Sequence, residues 1–215
     1  MKFRDRREGG KRLAEELSDY ADRDDVLVLG LPRGGVPVAD EVAKELNAPL
    51  DVFLVRKIGV PGQEELAMGA IASGGGKVLN DDIVRSLGVS EGDISKVEEK
   101  EREELKRRER EFRGDRKELD VREKTVILVD DGLATGASMR AAVTAVKDLN
   151  PKEVIVAVPS AARDSVESLE KEADRVIAVT TPEPYMAVGD WYEKFGQTKD
   201  DEVKEILAGA DKRAE

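Results

Sequence analysis

Two adjacent carboxylates, Asp130 and Asp131, follow the apolar run Val126-Ile127-Leu128-Val129 and precede the small, hydroxylated stretch Gly132-Leu133-Ala134-Thr135-Gly136-Ala137-Ser138. Carboxylates suit sugar hydroxyls, which donate to them, or a hydrated Mg²⁺. They do not suit a phosphate. The stretch behind them does. Gly132 and Gly136 let the backbone approach a ligand, and Thr135 and Ser138 offer hydroxyl donors. Met139, Val143 and Val146 then recur at helical spacing, so the loop opens a helix whose amino terminus favours an anion. Acids for hydroxyls beside amides for phosphate make a site for a phosphorylated, polyhydroxylated ligand.

A second segment has related chemistry. Pro32-Arg33-Gly34-Gly35 follows the apolar run 26–31. Gly34 and Gly35 free the backbone to approach a ligand, and Arg33 presents a planar fork that matches phosphate oxygens. In isolation such a segment is more often a tight turn with a solvated arginine. Arg56 and Lys57 stand at the end of the apolar stretch that begins at Leu50, and two cations there make a candidate clamp for a polyphosphate. Neighbours on a strand point to opposite faces, and Lys57 is the one favoured to face the ligand.

The elements that must carry these residues alternate. Residues 6–20 predict a helix with Leu13, Ala14 and Leu17 on one face. The run 26–31 reads as a strand buried on both faces, followed by a helix with Val38, Ala39, Val42, Ala43 and Leu46 inward and a strand over 50–56. Strand, helix, strand is a βαβ unit with a right-handed crossover. Residues 58–79 are glycine-rich without clear periodicity, the mark of a long lid loop at the ligand end of a sheet. The segment from about 81 to 118 predicts a helical insertion. Its long helix opens at Ser90, which resembles a capping box, and carries only sparse apolar positions at Val97, Leu105 and Phe112, so it reads as a solvated arm with internal ion pairs. Strands follow at 126–129, 154–158 and 175–179, with helices over 136–149 and 161–173. The tail from about 181 gathers Tyr185, Trp191, Tyr192 and Phe195, either to stack on a flat base or to seat a last helix over 200–208. The chain reads as one domain over 1–215.

Composition removes several chemistries. The 215 residues contain no Cys and no His, which excludes disulfides, thiol catalysis and any histidine base. Net charge is −11, which disfavours nucleic acid and anionic membrane as partners. Aromatics are only 4%, so the core must be built from Val, Leu, Ile and Ala. Charged residues reach 39%, as in the ion-pair networks of thermophile proteins. No apolar run reaches the length of a membrane span and the amino terminus is not a secretory signal, so the expected location is the cytoplasm.

The stretch 126–138 resembles the phosphoribosyl-pyrophosphate (PRPP) signature of type I phosphoribosyltransferases. Taken with LPRGG at 31–35, VRKIGVPGQEELAMGAIASGG from Val55 and WYEKFGQT from Trp191, the chain looks like bacterial phosphoribosyltransferase-domain proteins more than the purine, orotate or uracil enzymes. The resemblance implies an α/β fold, a Rossmann-like open parallel sheet with helices on both faces, a flexible loop and a hood that selects the base. It implies transfer of the 5-phosphoribosyl group from PRPP to a nitrogenous base, with Mg²⁺ as cofactor, release of pyrophosphate and a homodimer by family habit. Residue by residue, it gives Thr135, Gly136, Ala137 and Ser138, with Gly132 and Ala134, to the 5′-phosphate. Asp130 and Asp131 go to the ribose hydroxyls, directly or through the metal. Arg33, Gly34, Gly35 and Lys57, with Arg56, go to pyrophosphate. Two other classes stay open: a PRPP- or nucleotide-sensing regulator on the same fold, and a metal-dependent phosphate-ester hydrolase.

Overall fold

A computed structural model describes residues 2–214. The chain runs α1 (Arg6–Glu16), β1 (Val26–Gly30), α2 (Gly35–Leu46), β2 (Leu50–Val52), β3 (Val55–Val60), β4 (Gln63–Ala72), β5 (Lys77–Leu79), α3 (Asp81–Ser86), α4 (Glu91–Arg113), β6 (Thr125–Val129), α5 (Ala137–Lys147), β7 (Glu153–Ser160), α6 (Arg163–Leu169), β8 (Arg175–Thr180) and α7 (Asp200–Ala214). The main sheet is parallel in the order β2-β1-β6-β7-β8. Its strands are apolar without alternation because both faces are covered. Val28, Ile127, Val129 and Ile155 point into a core shared with α1, α2 and α7. Their neighbours Leu29, Leu128 and Val156 point into a second core against α5 and α6. Each fully buried aliphatic chain of this kind contributes roughly 1.5–3 kcal/mol.

Strand order reverses beside β1. The chain steps outward from β1 to β2 on one side, and β6, β7 and β8 continue on the other. Such a switch point opens a crevice at the carboxyl ends of the strands, where open α/β sheets bind ligands. Gly30 lies opposite Val129, and Leu31 N–H donates to Val129 O at 2.9 Å, so the segments leaving β1 and β6 are tied together.

The expected strand over 50–56 ends at Val52. The backbone of Leu54 turns to Ser73 instead: Leu54 N–H donates to Ser73 Oγ at 3.0 Å and Ser73 N–H to Leu54 O at 2.9 Å. Arg56 and Lys57 therefore sit on β3, in a separate antiparallel sheet ordered β3-β4-β5, and not at the end of a core strand. The expected lid loop over 58–79 is this sheet. β3 and β4 form a hairpin closed by Pro61-Gly62, with Gly62 at φ 78°, where a glycine is the natural occupant. The expected solvated arm is also corrected. α4 packs on β3, β4 and α7, buries Ile94, Leu105 and Phe112, and pairs Glu101 with Arg56 at 2.6 Å. Its cap is as expected, with Ser90 Oγ accepting from Asp93 N–H. No helix among the described residues is long and apolar enough to cross a membrane.

Candidate active site

The two loops meet at the switch point. Gly34 and Gly35 lie against Asp130 and Asp131 so closely that no side chain fits. A Cβ on Gly35 would stand 2.6 Å from Val129 O and 2.9 Å from Asp130 Cα, and one on Gly34 would run into the Asp131 carboxylate. The glycines are thus needed for the two loops to touch. The Pro32–Arg33 peptide is cis. A pocket of about 230 Å³ opens here, lined by Pro32, Phe53, Arg56, Arg108, Asp130 and Ser138 among others.

The segment 132–138 is held from below. Leu133 N–H donates to Ser160 O, Ala162 N–H to Leu133 O, and Ser165 Oγ to Ala134 O at 2.6 Å. Gly136 takes φ 70° and opens α5. Thr135, Ala137 and Ser138 face solvent, and the first N–H groups of α5 have no partner within the helix. Ala137 N–H donates to Thr135 Oγ1 only at a long 3.4 Å, so support below and weakly engaged donors above make an arrangement that suits an anion.

Asp130 Oδ1 accepts from Asp131 N–H at 2.8 Å, and Asp131 Oδ2 accepts from Arg6 Nε at 2.9 Å. One oxygen of each carboxylate is left for a ligand. Burial, and then the Asp131 charge beside it, raises the Asp130 carboxyl well above its ordinary range. Two adjacent oxygen donors fit Mg²⁺, which takes one or two carboxylates and completes its shell with water and substrate oxygens. No cluster of three or more His, Cys, Asp or Glu that could hold a metal occurs among the described residues, so the pair cannot form an all-protein cage.

Of the two cations expected to clamp a polyphosphate, Arg56 lines the pocket with Asp130 and Ser138, and Lys57 does not. Lys57 is exposed and faces a different groove, beside Asp81, Asp82 and Arg140. This reverses the expected preference. Arg56 is itself bonded to Glu101. Arg33 pairs with Asp200 Oδ1 at 3.5 Å.

Two contributors had no expected role. Arg6 comes from the start of α1 to bond Asp131, donates to Gly196 O at 2.6 Å and lies 4.0 Å over the Phe195 ring. Arg108 reaches the pocket from α4. Both belong to runs of mixed charge in which no spacing distinguishes one arginine from its neighbours. The aromatic tail stands beside the acids. Tyr192 Oη donates to Asp131 O at 2.6 Å, Tyr185 Oη lies 3.0 Å from Ser160 Oγ, and Tyr185 and Val188 close over Gly132. Burial pushes the Tyr185 phenol up to about 12 and raises Tyr192 as well, so both remain protonated donors at neutral pH. The rings pack on one another, Tyr192 on Phe195 at 5.2 Å and Tyr185 on Trp191 at 5.9 Å, which makes a satellite core.

A parallel sheet with helices on both faces, and acids and a phosphate-type loop at its switch point, define the type I phosphoribosyltransferase class. The chain belongs to the phosphoribosyl transferase domain family, whose model matches residues 5–202. It is 46% identical over 205 residues to two Mycobacterium tuberculosis proteins, of strains CDC 1551 and H37Rv, each named "Putative phosphoribosyl transferase". That match covers 95% of this chain and 46% of each relative, so the chain spans about half their length. The crystal structure of TT1426 from Thermus thermophilus is 43% identical, with a TM-score of 0.86 over 97% of this chain and 99% of that one.

Proposed function

We propose that the chain transfers the 5-phosphoribosyl group of PRPP to a nitrogen of a base-like acceptor and releases pyrophosphate. The observation that carries this is the contact of the two loops. It brings Asp130 and Asp131 against Gly34 and Gly35, with Ser138 in the same pocket as Asp130, which supports a ribose seated between two phosphate groups. In the reaction a bond forms from the acceptor nitrogen to C1, and the bond from C1 to the pyrophosphate oxygen breaks. The pyrophosphate leaves with that electron pair, and the nitrogen gives up its proton.

The residues have separate tasks. The N–H groups at the start of α5, with Thr135 and Ser138, hold the 5′-phosphate. Asp130 and Asp131 orient the ribose and place negative charge beside a sugar that becomes cationic. Arg33 and the backbone of Gly34 and Gly35 hold the departing pyrophosphate, with Arg56 at the pocket wall. Mg²⁺, bound by Asp130 and Asp131 directly or through water, would supply neutralisation of phosphate charge. With no histidine in the chain, the acceptor proton would pass to Asp131 or another carboxylate, unless the acceptor is already nucleophilic.

The test is calorimetric titration with PRPP and Mg²⁺ of wild type and of the double variant Asp130→Asn/Asp131→Asn. Binding by wild type alone, followed by pyrophosphate release in a screen of bases, is the expected result. Binding without release for any base would favour a PRPP sensor. Absence of binding in wild type would overturn the reading.

A further inference from the structure

The cations around Asp200, the first residue of α7, are paired in an unusual way. Arg33 Nη1 stands 3.5 Å from Asp200 Oδ1 and Arg108 Nη1 stands 3.9 Å from Asp200 Oδ2. Charge-assisted bonds between guanidinium and carboxylate close to about 2.7–2.9 Å, as Arg56 does with Glu101 elsewhere at the pocket wall. Here they do not close. Asp200 Oδ1 is buried and accepts no hydrogen bond among the described residues. A buried polar atom left without a hydrogen bond is costly even where, as here, the rest of the side chain is partly exposed. Arg33 and Arg108 thus flank one carboxylate from its two oxygens without closing on either, and both guanidinium groups keep donors for another anion.

Arg108 is the guanidinium free to meet that anion. It lines the pocket with Asp130 and Ser138, whereas Arg56 in the same wall is committed to Glu101. Its only ion pair among the described residues is the long one to Asp200. It is held in place by its position 5.0 Å over the Phe112 ring, which is buried.

We propose that Arg108, carried by α4, is a diphosphate-binding residue that acts with Arg33, and that Asp200 is a placeholder carboxylate which the diphosphate displaces. The inference rests on the phosphoribosyl transfer reading and adds a binding residue from outside both loops. It also gives α4 a task, since the helix places a cation that the strand ends do not supply.

The experiment is calorimetry on the full chain with three probes: Mg²⁺-PRPP, Mg²⁺-pyrophosphate and ribose 5-phosphate. Arg108→Gln is expected to weaken the two diphosphate probes about tenfold and to leave ribose 5-phosphate within about twofold, since a charge-assisted bond of this kind is lost only where the diphosphate sits. Arg108→Lys should recover part of the loss. Asp200→Asn is expected to act in the opposite direction, tightening pyrophosphate severalfold, because the competing charge is gone. Arg108 and Asp200 are both partly exposed, and a thermal melt checks each fold. Should the Arg108 variants not fold, Asp200→Asn decides alone. Wild-type affinity for all three probes in Arg108→Gln, or no tightening in Asp200→Asn, overturns the proposal while leaving the transferase reading intact. Failure of wild type to bind either diphosphate probe overturns both.

Discussion

Arg6 Nε donates to Asp131 Oδ2 at 2.9 Å, joining residues 125 positions apart in the chain. Both side chains are largely buried, 13% and 15% exposed, and the same guanidinium holds Gly196 O and covers the Phe195 ring. One arginine at the start of α1 thereby fastens the amino-terminal helix, the tail and the Asp131 carboxylate to one another.

Replacing Arg6 should therefore cost both stability and turnover. Arg6→Gln leaves a buried Asp131 unpaired and is expected to destabilise by ~2–4 kcal/mol in chemical denaturation. It should lower kcat more than it raises KM for PRPP, since the carboxylate is still present but no longer oriented. Arg6→Lys keeps the charge without the planar fork and should recover less than half of the stability. Unchanged denaturation midpoints in both variants would show that the ion pair does not tie the termini to the site.

Asp130 makes the opposite trade. Burial first and the Asp131 charge second raise its carboxyl, so ionising Asp130 costs the fold stability. That cost fades as pH falls and the carboxyl takes up its proton. Asp130→Asn should melt a few degrees higher than wild type at neutral pH, and the gap should close on acidification. Its affinity for Mg²⁺-PRPP should be lost. Thermal melts across pH, beside calorimetry, check both halves. A variant that is less stable at neutral pH would place the carboxylate among stabilising groups instead.

How far the sequence disclosed this arrangement depends on the range of the interactions. β1, β6, β7 and β8 were legible because strands buried on both faces are short apolar runs between helices. The placement of the acids and the segment 132–138 between a strand and a helix was legible because it is written in one contiguous stretch. β3 to β5 were not, because Gly59 and Gly69 and a register shift after Ile58 interrupt the alternation that marks a strand. Each of those glycines lets a partner backbone come close: a Cβ on Gly59 would stand 2.6 Å from Glu64 O, and one on Gly69 would meet Val78 O. Missing that sheet also exchanged Arg56 for Lys57. Arg6 and Arg108 were hidden for another reason. Their roles depend on partners more than ninety residues away, and in a chain with 39% charged residues no local pattern separates them from solvated neighbours.

Asp25 offers a test of stability away from the site. Arg23 and then Lys152 hold its carboxyl well below the ordinary value of 3.8, and Lys152 Nζ donates to it at 2.7 Å. A depressed folded pKa means that the ionised form favours the fold. The contribution is fully present above about pH 4 and is lost as pH falls through the folded value. Asp25→Asn should melt below wild type at about pH 6, with the difference shrinking steadily below about pH 4. A difference that is constant down to strongly acidic pH would mean that the loss comes from packing rather than charge.

Gly35 is the sharpest probe of the contact between the two loops. Its Cβ would meet Val129 O and Asp130 Cα, both backbone atoms that cannot swing aside, so Gly35→Ala must push the Arg33 segment away from the acids. Overpacking of this kind costs about 1–3 kcal/mol. The displacement should also separate the Arg33 segment from Asp130 and Asp131, so on the proposed reading affinity for PRPP should fall by more than affinity for ribose 5-phosphate. The difference between the two ligands is the informative quantity, because general loosening of the fold weakens both alike. Gly62→Ala serves as the control. Gly62 sits in the β3–β4 turn with open space around it, so an alanine there meets only the strain of φ 78° and should leave ribose 5-phosphate and PRPP in their wild-type ratio. Equal losses for both ligands in Gly35→Ala would show that the contact supports the fold and not the placement of the two phosphate sites.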